Sequence, residues 1–187
     1  APSAVIAVFL AGLINSGTLA LLPLYAGVAL PDVPGGSTGA AAVAAAACWT
    51  GGLISQWPAG RISDHIDRRV VIAVMGGISA AAALVLGLFP GLPENWIVIA
   101  LGVWGLGSLS FYGIGVAHAI DRSDTAQISR VMSGLLFVWA AGSVIGPPLS
   151  GYAFRVPFTE GGLFLLAAIL SIVLTVSMMY RRTRRQD

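Results

Sequence analysis

The charged side chains with the most regular spacing lie in one polar segment, residues 56–69, which reads Gln-Trp-Pro-Ala-Gly-Arg-Ile-Ser-Asp-His-Ile-Asp-Arg-Arg. An arginine guanidinium can bind a carboxylate through two parallel hydrogen bonds. A carboxylate near a helix N-terminus gains about 0.3–1 kcal/mol when it is exposed. Glycine permits close approach of backbones in a short loop, which we expect of Gly60. The segment predicts a latch of Asp64, Arg68 and Arg69 that holds helices together in one state and releases them in another.

A simpler interpretation of this segment remains open. Membrane proteins carry an excess of arginine and lysine in their cytoplasmic loops, so the basic residues can serve topology with incidental acids nearby. Topology requires arginine but gives no reason for Asp64 at this position. The latch is therefore the favoured hypothesis.

Polar side chains within long apolar runs are the candidates for contact with a small solute: Asn15, Ser108 and Tyr112. Polar groups in a membrane interior are costly, and they commonly mark the path of a solute. Such side chains also form hydrogen bonds between helices. Structural bonding is therefore the alternative interpretation of all three.

Catalytic and cofactor motifs are missing from the sequence. Ser108 and Ser110 lie eight to ten residues before His118, more than two turns at about 3.6 residues per turn, so they cannot meet along a straight helix. The single cysteine, Cys48, excludes a disulfide framework and a C-x-x-C metal site. No Walker A loop or H-E-x-x-H motif is present. We expect no enzyme, no metal and no cofactor.

The composition points to a membrane as the solvent. Of the 187 residues, 57% are hydrophobic and 10% are charged, and the mean hydropathy is +0.87. Soluble domains carry about 25% charged residues, so a water-facing surface is nearly excluded. A net charge of +2 does not supply the dense basic face of a nucleic-acid-binding protein. The chain is predicted to be an integral membrane protein in the lipid bilayer.

Long apolar runs divide the chain into candidate membrane spans. A spanning helix needs about 20 mostly apolar residues, whereas a β-barrel needs alternating hydrophobicity. Short segments rich in Gly, Pro and charge separate the runs. We predict one all-α transmembrane domain over residues 1–187, with a basic cytoplasmic tail at 181–187 and six spans near 5–30, 38–57, 70–88, 96–120, 131–154 and 161–180.

The distribution of arginine predicts the orientation. With the N-terminus in the cytoplasm, nine of the ten basic residues fall on the cytoplasmic side and only Arg155 falls outside. Cytoplasmic loops carry the excess of basic residues. Both termini of this chain are therefore expected in the cytoplasm.

The fifth span contains glycine and proline close together: Gly142 and Gly146 are four positions apart, and Pro147 comes directly after Gly146. Small residues allow close helix packing in lipid, which is the simpler interpretation. A kinked helix that rocks during transport is the functional alternative. We count these three residues as gating candidates.

The polar segment resembles the signature loop of the major facilitator superfamily, G-x-L-x-D-R-x-G-R-R. Two positions depart from that pattern, because His65 replaces an arginine and Asp67 replaces a glycine. Segments 22–25, 56–61, 112–117 and 142–147 are similar to the C-terminal half of the YcaD-like branch. The matching positions of the signature are Gly60, Ile62, Asp64, Arg68 and Arg69.

This resemblance implies helices seven to twelve of a twelve-helix carrier, folded as two inverted three-helix repeats. It also implies a bacterial inner membrane, a small-molecule solute, and a path between two halves near the membrane midplane. In the family the second signature loop faces a helix of the other half. The first apolar run has no basic flank and no initiator Met before it, so we expect an N-terminal six-helix half upstream.

Function follows from the resemblance as an expectation with alternatives. The chain is expected to be a secondary active transporter, or its C-terminal half, that moves a small solute by alternating access. The alternatives are a stand-alone, non-transporting membrane scaffold and a half-transporter that pairs with itself. The spans carry no central Asp, Glu, Lys or Arg, so this half offers no obvious proton site.

Overall fold

The fold is known from a computed structural model, which describes residues 2–155 and 161–183 except the side chain of Arg182. A short 3-10 turn, Thr125–Gln127, precedes the sixth helix. The α-helices are α1 Pro2–Ala29, α2 Gly36–His65, α3 Arg68–Leu88, α4 Glu94–Ser108, α5 Phe111–Ile120, α6 Ile128–Arg155 and α7 Gly162–Thr183.

Among the described residues, six helical segments are long and apolar enough to cross a membrane, with α4 and α5 together forming one of them. The prediction of an all-α integral membrane fold is confirmed. The predicted tail at 181–187 falls partly outside the described residues. Its arginines at 184 and 185 therefore have no described structure.

Two helices differ from the predicted spans. Helix α2 continues past Trp57 to His65, with Pro58 inside it, so the signature segment is mostly helical rather than a loop. A proline removes only one backbone hydrogen bond, and helical turns continue on both sides. The fourth span is divided at Leu109 and Ser110, where the Ser110 hydroxyl donates to the Gly107 carbonyl at 2.7 Å and competes with the helical bonding.

Helix pairing shows an internal symmetry. Helix α1 packs mainly on α6, α4 packs mainly on α2, and α3 packs mainly on α7. Exchanging α1, α2 and α3 with α4, α6 and α7 reproduces these three pairs. Two three-helix units related in this way agree with the predicted inverted repeats.

Glycines at both equivalent crossings allow backbones to touch. On α6, a Cβ added to Gly142 or Gly146 would overlap the carbonyl oxygen of Phe9 or Leu13 on α1. At the α2–α4 crossing, a Cβ added to Gly105 would overlap the carbonyl oxygen of Cys48. Lipid offers no hydrophobic drive between helices, so this van der Waals contact stabilises the pairs.

Burial is uneven among the helices. We compare the most apolar stretch of 18 residues in each span. In α1, 56% of these residues are buried, whereas 28% are buried in α2 and 11% in the span that contains α6. An aromatic cluster is buried between α1, α4 and α7. The ring centroid of Phe164 lies 4.7 Å from that of Tyr25 and 5.9 Å from that of Trp104. Helices α2 and α6 thus present broad faces that the described part of the chain does not cover.

Candidate functional site

A cleft of about 460 Å³ opens where α1, α2, α6 and the α4–α5 junction meet. None of the described side chains that line it is charged. The cleft therefore combines apolar surface with a few polar groups, as small-molecule sites do. Its lining consists of Asn15, Ser16, Leu19, Trp49, Leu109, Tyr112, Leu136 and Trp139.

Asn15 is held in one orientation at the base of this cleft. Its side-chain Nδ2 donates to the carbonyl oxygen of Ser108 at 3.2 Å. The amide oxygen, Oδ1, is buried and accepts no hydrogen bond among the described residues. A buried polar atom without a partner costs about 1–3 kcal/mol. Asn15 therefore carries a buried acceptor beside the cleft that no described residue satisfies.

Ser108 occupies a different place from the other two predicted solute contacts. It is 0% exposed and is absent from the cleft lining, whereas Asn15 and Tyr112 both line the cleft. Its hydroxyl has no hydrogen-bond partner among the described residues, and its carbonyl oxygen holds Asn15. In this conformation Ser108 positions Asn15 and does not reach the cleft itself.

Aromatic side chains from three helices surround the cleft. The rings of Tyr112 on α5 and Trp139 on α6 meet edge to face with their centroids 6.0 Å apart, a favourable arrangement for aromatic pairs. Trp49 on α2 is 52% exposed at the same cleft. The position of Trp139 at the cleft was not predicted, because in the sequence a tryptophan of an apolar span that lines a cleft looks the same as one that faces the core or the lipid.

The signature segment forms an ion-pair cluster centred on Arg68. Its Nη2 lies 2.9 Å from Oδ1 of Asp64 and 3.3 Å from Oδ1 of Asp121. Its Nε donates to the second oxygen of Asp121, and its Nη1 donates to the Ser63 hydroxyl at 2.8 Å. The hydrogen bond from Arg68 lowers the pKa of the Asp121 carboxyl. The cluster joins the ends of α2 and α5 to the start of α3.

Arg69 does not join this cluster. Its side chain is buried, 3% exposed, and its Nη1 donates to the carbonyl oxygen of Arg181 at 2.6 Å. Arg69 thus ties the start of α3 to the end of α7, where a cation is favourable for the helix dipole. The predicted trio of Asp64, Arg68 and Arg69 is divided between two contacts.

The remaining gating candidates occupy packed or open positions along their helices. Gly60 lies inside α2, where an added Cβ would meet nothing within 4 Å, so no close backbone approach explains this glycine. Gly142 and Gly146 touch α1, as described above. Pro147 lies inside α6, which remains helical through it.

Two residues near the Arg68 cluster have structural roles that the sequence did not predict. Asp121 follows the predicted fourth span directly, and an acid at the end of a span on the same predicted membrane side as Arg68 is the signal that could have found it. Asp67 caps α3, because its Oδ1 accepts from the backbone N–H of Arg69 at 2.9 Å. The aspartate that departs from the family pattern therefore has a structural use.

The described residues offer no cluster of three or more His, Cys, Asp or Glu that could hold a metal ion. His118 on α5 is buried, and its Nε2 lies 2.9 Å from the Ser3 hydroxyl oxygen. The site thus consists of the cleft and the Arg68 cluster.

Six apolar helices in two related triplets define a polytopic integral membrane protein, and the cleft between them opens onto an uncovered face. The chain belongs to the major facilitator superfamily, whose profile matches residues 4–187. The predicted resemblance is thereby confirmed.

Curated relatives share this assignment. A protein of Shigella flexneri named as an uncharacterised MFS-type transporter, YcaD, is 24% identical over 170 residues, and the protein of the same name in Escherichia coli is 23% identical. Each alignment covers 91% of this chain and 42% of the relative. The chain therefore spans less than half the length of these relatives.

Proposed function

We propose that this chain forms one half of a secondary active transporter that moves a small solute across a membrane by alternating access. The observation that supports it most directly is the cleft of about 460 Å³, which carries Asn15 and Tyr112 within a membrane domain. Polar groups at such a depth are costly unless they serve a ligand or another helix. The family is one of transporters rather than enzymes, which agrees with the expected absence of catalysis.

The partner in this proposal is a second six-helix half. The exposed faces of α2 and α6 flank the cleft, and they include large apolar side chains such as Trp49 at 52% exposure and Leu136 at 54%. A second half packed on these faces would close the cleft into a path between the halves. The coverage of 42% of the relatives' length supports such a partner.

The Arg68 cluster is the proposed gating latch. The side chain of Asp64 is 61% exposed and that of Asp121 is 51% exposed, and exposed pairs contribute only about 0.2–1 kcal/mol each. Pairs of that strength can form and break during a conformational cycle. Gly142, Gly146 and Pro147 would allow α6 to move against α1 in the same cycle.

Localisation in a bacterial inner membrane with both termini in the cytoplasm completes the proposal. Variants Ser37→Cys and Ser129→Cys test the orientation, because both residues are exposed and lie in the first turns of α2 and α6, at opposite ends of the bundle. A membrane-impermeant maleimide should label Ser37→Cys from the periplasm and Ser129→Cys from the cytoplasm. The reverse pattern would overturn the orientation.

Alternating access is tested by labelling the cleft from each side. Native Cys48 is 0% exposed, so it adds little background to the labelling of Ser16→Cys. The full-length gene product without this substitution, labelled in parallel, gives the remaining background. In right-side-out and inside-out vesicles, Ser16→Cys should react with an impermeant maleimide from both sides, whereas Ser37→Cys should react from one side. Labelling of Ser16→Cys from one side only would favour the non-transporting scaffold.

The mass of the native gene product separates the remaining alternatives. An antibody against the C-terminal heptapeptide would detect a band near twice 19.2 kDa for a two-half carrier. A band near 19.2 kDa would favour a self-pairing half or a scaffold. Cross-linking between two copies would then distinguish these two.

A further inference from the structure

The wall of the cleft combines one oriented acceptor with aromatic rings. Asn15 donates through Nδ2 to Ser108, so its amide cannot turn to present a donor without losing that bond. Its Oδ1 is buried and has no partner among the described residues. A buried acceptor without a partner is uncommon in native structures and calls for a ligand, a water or another conformation.

Tyr112 and Trp139 line the same cleft as Asn15. Their rings form an edge-to-face pair, and Trp49 of α2 lines the same cleft. Aromatic rings bind other rings through offset or edge-on contacts. The described lining contains no charged side chain, so this wall makes no ion pair with a solute.

We propose that this wall recognises an aromatic solute whose N–H or O–H group donates to Oδ1 of Asn15 while its ring packs against Tyr112 and Trp139. This inference rests on the proposed transport function and narrows its substrate class. Oδ1 is shielded from water in this conformation. The side chains that cover Oδ1 must therefore move before a solute can donate to it, and the hydrogen bond then forms where water does not compete.

The test compares two probes that differ only at the donor, 2-naphthol and its methyl ether, 2-methoxynaphthalene. Binding is measured by equilibrium dialysis to the full-length protein in lipid nanodiscs, and empty nanodiscs provide the correction for partitioning. The naphthol should bind about tenfold more tightly than the ether, as a satisfied buried acceptor predicts. Equal affinities, or no measurable binding of the naphthol, would overturn the inference.

Variants assign the preference to particular side chains. Asn15→Leu should bring the ratio of the two affinities close to one, because the acceptor is removed. Trp139→Leu should weaken both probes and leave the ratio near tenfold, since it removes ring contact only. An unchanged ratio in Asn15→Leu contradicts the assignment. The ratio in the unaltered protein remains decisive if Asn15→Leu does not fold.

The same preparation distinguishes failure of this inference from failure of the transport proposal. Ser16→Cys labelling from both membrane sides without a naphthol preference keeps transport and overturns the aromatic-donor class. A tenfold preference with labelling from one side only keeps the recognition of the probe and overturns alternating access.

Discussion

Arg68 binds both carboxylate oxygens of Asp121, a residue 53 positions further along the chain. The two residues lie at the start of α3 and just after α5, so their contact links the two three-helix units. Asp64, four positions before Arg68 and on α2, adds a second and single contact to the same guanidinium. A bidentate pair is stronger and more directional than a single contact, which makes Asp121 the main partner.

The first prediction ranks the two acids. Asp121→Asn should change the rate of transport, or of Ser16→Cys labelling, more than Asp64→Asn does, because it disrupts the bidentate pair. Both should lower the free energy of unfolding by no more than about 1 kcal/mol, as expected for exposed pairs. Stopped-flow labelling and thermal melts in detergent measure the two effects.

Asp124→Asn is the matched control for this ranking, because Asp124 is exposed in the same loop and is outside the cluster. It should leave both the rate and the melting temperature unchanged. Unaltered transport in Asp121→Asn with normal expression would count against the latch.

The second prediction concerns pH. Arg68 lowers the pKa of the Asp121 carboxyl, so the unfolded state binds a proton more readily than the folded state. The stability from this pair is therefore fully present above the ordinary carboxyl pKa of about 3.9, and it is lost as the pH falls through the lower folded value. The contribution of the Arg68–Asp121 pair to stability should therefore not change near neutral pH.

Melting temperatures of the unaltered protein and Asp121→Asn from pH 3 to pH 7 check this sign. The gap between them should be constant from pH 5 to pH 7 and should close only at the acidic end. A gap that closes between pH 6 and pH 7 would show that another group controls the pair.

The third prediction uses two glycines of α6 in opposite surroundings. Gly146→Val would place its side chain against the backbone of Leu13 and Gly17, which cannot move away as a flexible side chain can. Overpacking of this kind costs about 1–3 kcal/mol, so the melting temperature should fall. Gly134→Ala meets nothing within 4 Å and should be neutral, or stabilising by about 0.5–1 kcal/mol. Equal effects in the two variants would be inconsistent with the α1–α6 contact.

The fourth prediction tests the cap of α3. Asp67→Ala should lower the free energy of unfolding by about 1 kcal/mol because the N–H of Arg69 loses its side-chain acceptor. Asp67→Ser retains a hydroxyl acceptor and should recover most of this loss. Chemical unfolding in mixed micelles gives both values. A Ser variant as unstable as the Ala variant would point to the charge of Asp67 rather than its cap.

Much of the architecture was predictable because it depends on local sequence. Apolar runs of membrane-spanning length admit few structures other than helices, and this is sufficient to predict six spans. The pairing of Asp64 with Arg68 was also accessible, since four residues separate them in the chain. The extension of α2 to His65 was missed because Pro58 and Gly60 are typical of loops, although α2 remains helical around them.

The sequence alone determined the class of protein, its six membrane spans, and the residue types available for a site, since these follow from composition and from neighbours along the chain. Only the tertiary structure decided which of those residues act together. It places Asn15 against the carbonyl of Ser108, 93 residues away, joins Tyr112 to Trp139, and assigns Arg69 to the end of α7. These contacts depend on how the helices cross. The crossings in turn depend on glycines that pack against backbone atoms distant from them in the sequence.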